Sequence, residues 1–271
     1  MTYKLAWFST GRDAAARDLL KTAMDAMRSG EIAAQIDCVF CSRNYGEATE
    51  SDRFIEQVRS YGLPLICFSY QRYKDAHAKA NPGNGFPQWR QDYDNEIIRQ
   101  LAGFNPEICV MAGYMLIISP GMCRHFNLIN LHPAAPSGPT GTWQEVIWKL
   151  IDERAQTSGV MMHLVTPELD RGPAVTCCHY SLRGGAFDQM WQHCTGKDTA
   201  AIKREEGESS PLFQAIRAEG LKREFPLIIA TIRAFSLRQV KVVSGRILDA
   251  HDKIIPGYDL SSEIDRQIAG I

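Results

Sequence analysis

The residues with the clearest chemical potential lie in Leu128-Ile129-Asn130-Leu131-His132-Pro133. Side chains two apart on a strand share a face, so Asn130 and His132 point one way while Ile129 and Leu131 are buried on the other. Pro133 ends the strand, because it has no N–H to give to a sheet ladder. An amide donor therefore stands beside an imidazole, whose ordinary pKa is about 6.5. A second segment, Met162 to Pro173, carries His163 on a strand and Asp170 on a proline-bracketed loop, and Gly172 and Pro173 start the returning strand. A carboxylate on such a loop suits an imidazole brought from elsewhere in the fold. Singly, each residue has a plainer role: His132 as an ordinary hydrogen-bonded strand-end residue, Asn130 as a turn cap, Asp170 as a turn residue. Together, Asn-x-His-Pro, a downstream His and Leu-Asp-x-Gly-Pro hold the parts needed to stabilise a developing oxyanion and to move protons at neutral pH.

The elements that must position these groups are legible as an alternation. Short apolar runs at Tyr3–Ser9, Ile36–Cys41, Leu65–Phe68, Ile108–Met111 and Leu128–Leu131 read as strands. Between them, Leu19, Leu20, Ala23, Met24 and Met27 recur at helical spacing, as do Phe54, Ile55 and Val58, and Ile97, Ile98 and Leu101. Glycine or proline follows each helix as a stop. Strands alternating with helices predict an α/β fold with a Rossmann-like, mostly parallel twisted sheet and helices on both faces. Ligands bind such sheets at the C-terminal ends of the strands, here after Ser9, Cys41, Met111 and Leu131. Gln71 to Arg90, with Asn81-Pro82-Gly83-Asn84-Gly85, is a longer connection than compact domains use, and reads as a functional flap or a mobile insertion. The catalytic domain is expected over residues 1–200. A C-terminal extension follows over 201–271, with a helix from Pro211 to about Phe235, interrupted near Gly220, and a hairpin at Val240–Val243 and Arg246–Leu248.

Composition narrows the classes. The chain has 271 residues, 45% of them hydrophobic, which is ample for a proper core. Lys and Arg number 30 against 31 Asp and Glu, so the basic excess that drives nucleic-acid binding is missing. No apolar run reaches the roughly 20 residues of a membrane span, and the N-terminus lacks a signal-peptide layout. A cytoplasmic protein is expected, with its eight cysteines reduced. Cys38 and Cys41 form a lone C-x-x-C within a strand, where residues three apart face opposite ways, so a core role is expected and no metal.

Three stretches carry a resemblance: Ile129 to Pro133, His163 to Pro173, and Val110-Met111-Ala112-Gly113-Tyr114-Met115-Leu116-Ile117-Ile118-Ser119-Pro120. With Tyr93-Asp94-Asn95-Glu96-Ile97, they match in order from about Lys4 to Tyr180, and more weakly around Phe225-Pro226-Leu227. The chain resembles the folate-dependent formyltransferases, above all the branch acting on phosphoribosylglycinamide (GAR) in purine biosynthesis. The resemblance implies formyl transfer from the cosubstrate 10-formyltetrahydrofolate to a primary amine, with no metal. The implied partner is a small, phosphorylated amine acceptor, with no nucleic acid and no membrane; a homodimer is open. The residue matching Asn130 holds the formyl oxygen, that matching His132 assists the amine and the developing charge, and that matching Asp170 orders water and moves protons. His163 takes a supporting role. The folate pocket is implied along Tyr114, Met115, Leu116, Ile117 and Ile118, and at Val165, Thr166 and Glu168.

The chain also departs from that family. Leu116 stands where many members have Arg, and Leu221 where many have an acidic residue that contacts the ribose; Lys222 and Arg223 are nearby cations. The implied phosphate turn reads Thr10-Gly11-Arg12-Asp13, in which Thr10 and Arg12 can donate while Asp13 either repels an anion or caps the helix. Pro136-Ser137-Gly138-Pro139-Thr140-Gly141 replaces the usual Leu-Leu-Pro loop. These departures keep two alternatives in view. One is a related 10-formyltetrahydrofolate-dependent enzyme with another acceptor, such as a sugar N-formyltransferase or a deformylase. The other is a non-catalytic folate-binding protein.

Overall fold

The computed structural model describes residues 2–78 and 85–270. Its core is an eight-stranded sheet. Five parallel strands come first: β1 (Tyr3–Ser9), β2 (Ala34–Cys41), β3 (Leu65–Cys67), β4 (Ile108–Met111) and β5 (Leu128–His132). They are followed by β6 (Thr157–Leu164) and β7 (Ala174–Ser181), and a two-residue strand, β10 (Tyr258–Asp259), lies at the far edge. The spatial order is β10-β7-β6-β5-β4-β1-β2-β3. β6 runs antiparallel to both neighbours, and all other pairings are parallel. β4 and, from Leu5 to Phe8, β1 read as unbroken apolar runs because both faces of these inner strands are covered, while Lys4 near the start of β1 is exposed.

The helices form two layers. On one face, α1 (Ala14–Arg28), α2 (Thr49–Ser60) and α9 (Pro211–Ser236) pack through Leu20, Phe54, Ile55, Ile228 and Ile232 against Leu5, Trp7, Val39 and Ile129. On the other, α4 (Gln88–Gln100) and α5 (Pro120–His125) pack through Tyr93, Ile97 and Met122 against Phe8, Cys38, Phe40 and Cys109. Cys38 and Cys41 thus enter opposite layers, as alternation along β2 requires. Two further helices flank the C-terminal end of the sheet: the start of α3 (Tyr70–His77) borders a pocket with Thr10 and Ser42, and α6 (Trp143–Asp152) packs on α9 through Trp148 and Phe213. Thr142 and Glu145 start α6 with a reciprocal capping box.

Beyond residue 182 come α7 (Ala186–His193), α8 (Thr199–Glu205), the hairpin β8 (Val240–Val243) and β9 (Arg246–Asp249), and α10 (Ser261–Ala269). α9 runs unbroken through both Gly220 and Pro226, contrary to the expected interruption. Leu227 to Ile232 are all buried, so sheet and helices surround that part of the rod, and packing outweighs the residues' poor intrinsic fit. Of the long connection, Tyr70–His77 is helical and Gln88–Arg90 opens α4, while the stretch 79–84, on which part of the expected flap or insertion falls, lies outside the described residues. Among the described residues, no helix is long and apolar enough to cross a membrane.

Candidate active site

β5 delivers Asn130 and His132 to the C-terminal end of the sheet. β6 pairs with it in a register that sets His163 directly opposite Asn130. After β6, the chain makes the loop 165–173 and returns along β7. Leu164 N–H donates to Pro173 O (2.9 Å) and closes the loop's neck. Gly172 is obligatory there, since a Cβ would lie 1.6 Å from Leu164 O. At the tip, Asp170 holds a left-handed backbone, φ 54°, which short polar side chains tolerate best.

This frame gathers His132, His163 and Asp170. Asp170 Oδ2 lies 4.0 Å from His132 Nδ1, and Asp170 Oδ1 lies 3.8 Å from His163 Nε2. The two imidazoles stand edge to face, 6.1 Å apart, with the carboxylate between them. Proton positions follow from the carbonyls they touch, because a carbonyl only accepts. His132 Nε2–H donates to Pro139 O (2.9 Å), which leaves Nδ1 as the exchangeable nitrogen facing Asp170. His163 Nδ1–H donates to Leu164 O (3.2 Å). Burial lowers the His163 pKa, only partly offset by the Leu164 carbonyl, so the ring is neutral and Nε2 carries a lone pair. That nitrogen is buried with no partner among the described residues. Two acceptors face each other across 3.8 Å, and one donor set off the line between them, a water or an amine, serves both.

Three neighbouring cavities with some lining residues in common lie at this end of the sheet. The first, about 190 Å³, is lined by Met111, Tyr114–Ile118, Asn130, His163, Val165–Pro167, Leu169 and Asp170. The second, about 360 Å³, is lined by Arg12, Asp13, Leu19, Asn130, Trp143, Arg217, Glu224 and Phe225, among others. Asn130 lies on the wall common to both. The third, about 550 Å³, lies over the ends of β1 and β2, and Met115 borders all three.

The predicted folate residues Tyr114, Met115, Leu116, Ile117, Ile118, Val165 and Thr166 all line the first cavity. Glu168 does not: it is exposed, and its carbonyl accepts from Thr166 Oγ1 (3.0 Å) within the loop. His132 lines none of the three, being buried behind the wall under the 134–141 loop. Arg12 and Asp13 line the second cavity and Thr10 the third, while Gly11 is buried at the turn between them. Leu221 points to solvent. Lys222 and Arg223 do not serve the cleft. Lys222 pairs with Glu219, and Arg223 bonds Glu219 and Asp265 and stacks on Tyr180.

Sequence reasoning missed two groups. Arg217 pairs with Glu224 (2.7 Å) and lies over the Trp143 ring (4.5 Å), forming one wall of the second cavity. The only local signal was Glu224 beside the Phe225-Pro226 match. The second group is a buried clamp on α4. Arg90 pairs with Asp94 and donates to Ile117 O (2.6 Å), while Asp94 Oδ2 accepts from Ser119 N–H (2.7 Å). Arg90 also lies against the rings of Tyr70 and Tyr93. The clamp fixes the 114–119 loop that walls the first cavity; Asp94 stood within the Tyr93–Ile97 match, while Arg90 left no trace beyond its i,i+4 spacing to it.

Comparison with known proteins agrees with this architecture. The GAR formyltransferase of Coxiella burnetii superimposes over 96% of this chain and 99% of its own, with a TM-score of 0.65 at 16% identity. A formyltetrahydrofolate deformylase from Burkholderia mallei covers 92% of this chain and 70% of its own, with a TM-score of 0.59 at 15% identity. In sequence, the GAR formyltransferase of Escherichia coli is 32% identical over 159 residues, which is 58% of this chain and 64% of that relative. The Saccharomyces cerevisiae protein of the same name is 26% identical over 164 residues. The formyl transferase family model matches residues 6–180, the segment that holds Asn130, His132, His163 and Asp170. On that match, which spans well over half of its length, the chain belongs to the formyl transferase family.

Proposed function

We propose that this protein transfers a formyl group from 10-formyltetrahydrofolate to a phosphorylated primary amine, with GAR as the first candidate. One observation carries the reading: Asn130 stands on the wall shared by two cavities, and the first of them is also lined by the Asp170 carboxylate, which is flanked by two imidazoles. A two-substrate transfer needs a donor chamber and an acceptor chamber that meet at one polar group. The first cavity suits the folate. Met111, Ile118 and Val165 make apolar walls for a flat ring, and the orphaned Nε2 of His163 awaits a polar partner. When bound, the folate supplies the formyl carbon that the amine attacks.

The chain's own residues then divide the work. The Asn130 amide donates to the formyl oxygen as negative charge develops there; one such donor is worth about 3 kcal/mol of barrier. Asp170 accepts a hydrogen bond from the amine or from an ordered water, takes up the proton that the attacking amine loses, and returns it through that water to the folate nitrogen as the bond between that nitrogen and the formyl carbon breaks. His132 stands behind Asp170 with Nδ1 toward it, so it acts through the carboxylate, sharing that proton and balancing its charge. Neutral His163 orients the donor that it shares with Asp170.

The test is turnover. Purified protein with 10-formyltetrahydrofolate and GAR is expected to release tetrahydrofolate at a rate that depends on the GAR concentration. No turnover of GAR would remove it as acceptor. A second reading, hydrolysis of the folate with water in place of the amine, is favoured by the wide structural match to the deformylase. Formate release without any amine would select it.

A further inference from the structure

Resting on the formyl-transfer reading, we infer that Thr10 is a positioning residue: its hydroxyl holds Met115 where the donor and acceptor chambers meet, and so governs the binding of both substrates. Met115 lines the first, second and third cavities alike. It is also 55% exposed, so packing does not fix it. Its place depends on the main chain of the segment that follows β4, which Gly113 bends with a left-handed backbone, φ 68°.

That segment is fastened at both ends. The α4 clamp holds the far end, at Ile117 O and Ser119 N–H. Thr10 holds the near end: its N–H donates to Gly113 O (3.1 Å), and Met115 N–H donates to its Oγ1 (3.2 Å). Thr10 is itself buried and braced. Its Oγ1 lies 3.0 Å from Ser42 Oγ, just past β2, and Ser51 Oγ on α2 donates to its carbonyl (3.0 Å). A hydroxyl has one proton and two lone pairs, so Oγ1 accepts from Met115 N–H and still shares a proton with Ser42. The ends of β1 and β2 and the start of α2 thereby set the position of one backbone amide. The demand is chemical, since valine has the outline of threonine without the oxygen. In Thr10→Val, Met115 N–H loses its acceptor and Ser42 its buried partner. Met115 faces both chambers, so loosening it weakens donor and acceptor binding together. The α4 clamp acts more narrowly, because Ile117 lines the first cavity and neither of the other two.

The experiment joins a structural readout to binding and kinetic ones. Hydrogen exchange at the Met115 amide is followed by NMR, and tetrahydrofolate is titrated calorimetrically. KM and kcat are measured for 10-formyltetrahydrofolate and for the amine that the wild type accepts. Thr10→Val is expected to exchange at Met115 about tenfold faster and to bind tetrahydrofolate about tenfold more weakly, the scale of one lost hydrogen bond. Both KM values should rise by a similar factor, with kcat within a few-fold. Thr10→Ser keeps the oxygen and should return every value to within about threefold of wild type. Thr10→Ala removes the oxygen without adding bulk, and carries the same expectation as Thr10→Val should that variant not fold. Thr231→Val is the control for general destabilisation. Thr231 is buried, its hydroxyl bonds Thr176 Oγ1 (2.6 Å) and Leu227 O (2.6 Å), and it lines none of the three cavities. It should leave Met115 exchange and tetrahydrofolate binding unchanged. Wild-type exchange or binding in Thr10→Val, a loss that Thr10→Ser does not repair, a rise in one KM alone, or an equal loss in Thr231→Val would each overturn the inference. A wild type that binds tetrahydrofolate without transferring formyl removes the transfer reading instead, and exchange and tetrahydrofolate binding then decide the role of Thr10 by themselves.

Discussion

Removing the Asp94 carboxylate tests whether the α4 clamp holds up the folate wall. Asp94 is fully buried and Arg90 is 5% exposed at its side chain, so Asp94→Ala strands a guanidinium in the core. Breaking a buried pair by deleting one partner costs about 3–5 kcal/mol. The Ser119 N–H loses its acceptor as well, worth roughly 1–3 kcal/mol. Against a typical domain stability of about 5–15 kcal/mol, the variant stays folded with a large deficit. Arg90→Met is expected to cost a similar amount, because it leaves the carboxylate unpaired. The double variant Arg90→Met/Asp94→Leu strands no charge. It loses only the bonds to Ile117 O and Ser119 N–H, roughly 2–6 kcal/mol in sum. The double variant should therefore be no less stable than either single one. Urea unfolding followed by tryptophan fluorescence measures all four proteins. If the two single losses add in the double variant, the groups are not a coupled pair and the reasoning fails. In Asp94→Ala, KM for the folate is expected to rise at least tenfold with kcat within a few-fold, since the clamp touches the wall and not the reacting atoms.

Three further outcomes follow from the site and its supports. Asn130→Ala should lower kcat by about a hundredfold to a thousandfold, while urea unfolding shifts by less than about 1 kcal/mol, because the lost donor acts on developing charge. Gly11→Ala should destabilise by about 2–4 kcal/mol: φ is 60° and the new Cβ would lie 2.8 Å from Phe54 Cβ. Burial holds the His163 pKa below its unfolded value, so in the window between the two the unfolded chain binds the extra proton. Stability should fall as pH drops below about 6.5 and level off once pH passes the folded value. His163→Gln should remove that component, and an unchanged pH profile of the unfolding free energy would contradict it.

The strands and the first helices were legible because parallel sheets impose unbroken apolar runs, such as Leu5–Phe8 and Ile108–Met111, and the helices between them keep a clear period. Asn130 and His132 were legible from alternation along one strand, and Asp170 from a loop whose glycine answers a steric demand. What stayed hidden depends on tertiary contact. Arg217 and Trp143 lie 74 residues apart in sequence yet stack in one wall. Arg90 looks like an ordinary helix-surface cation until Tyr70, Tyr93 and the Ile117 carbonyl close around it. The break expected near Gly220 did not occur, because α9 is held by its surroundings and not by its own propensity. The burial of His132 behind Pro139 depends on the fold of a loop rich in Pro and Gly, where no periodic signal exists.

The central sheet ends in β3, three residues long, on one side and in β10, two residues long, on the other. Strands this brief offer a neighbouring chain almost no row of free amides and carbonyls to zip onto. Copies of this protein that meet in concentrated solution therefore have little opportunity to extend one another's central sheet, which leaves the helical flanks and the β8–β9 hairpin as the surfaces for any lasting assembly.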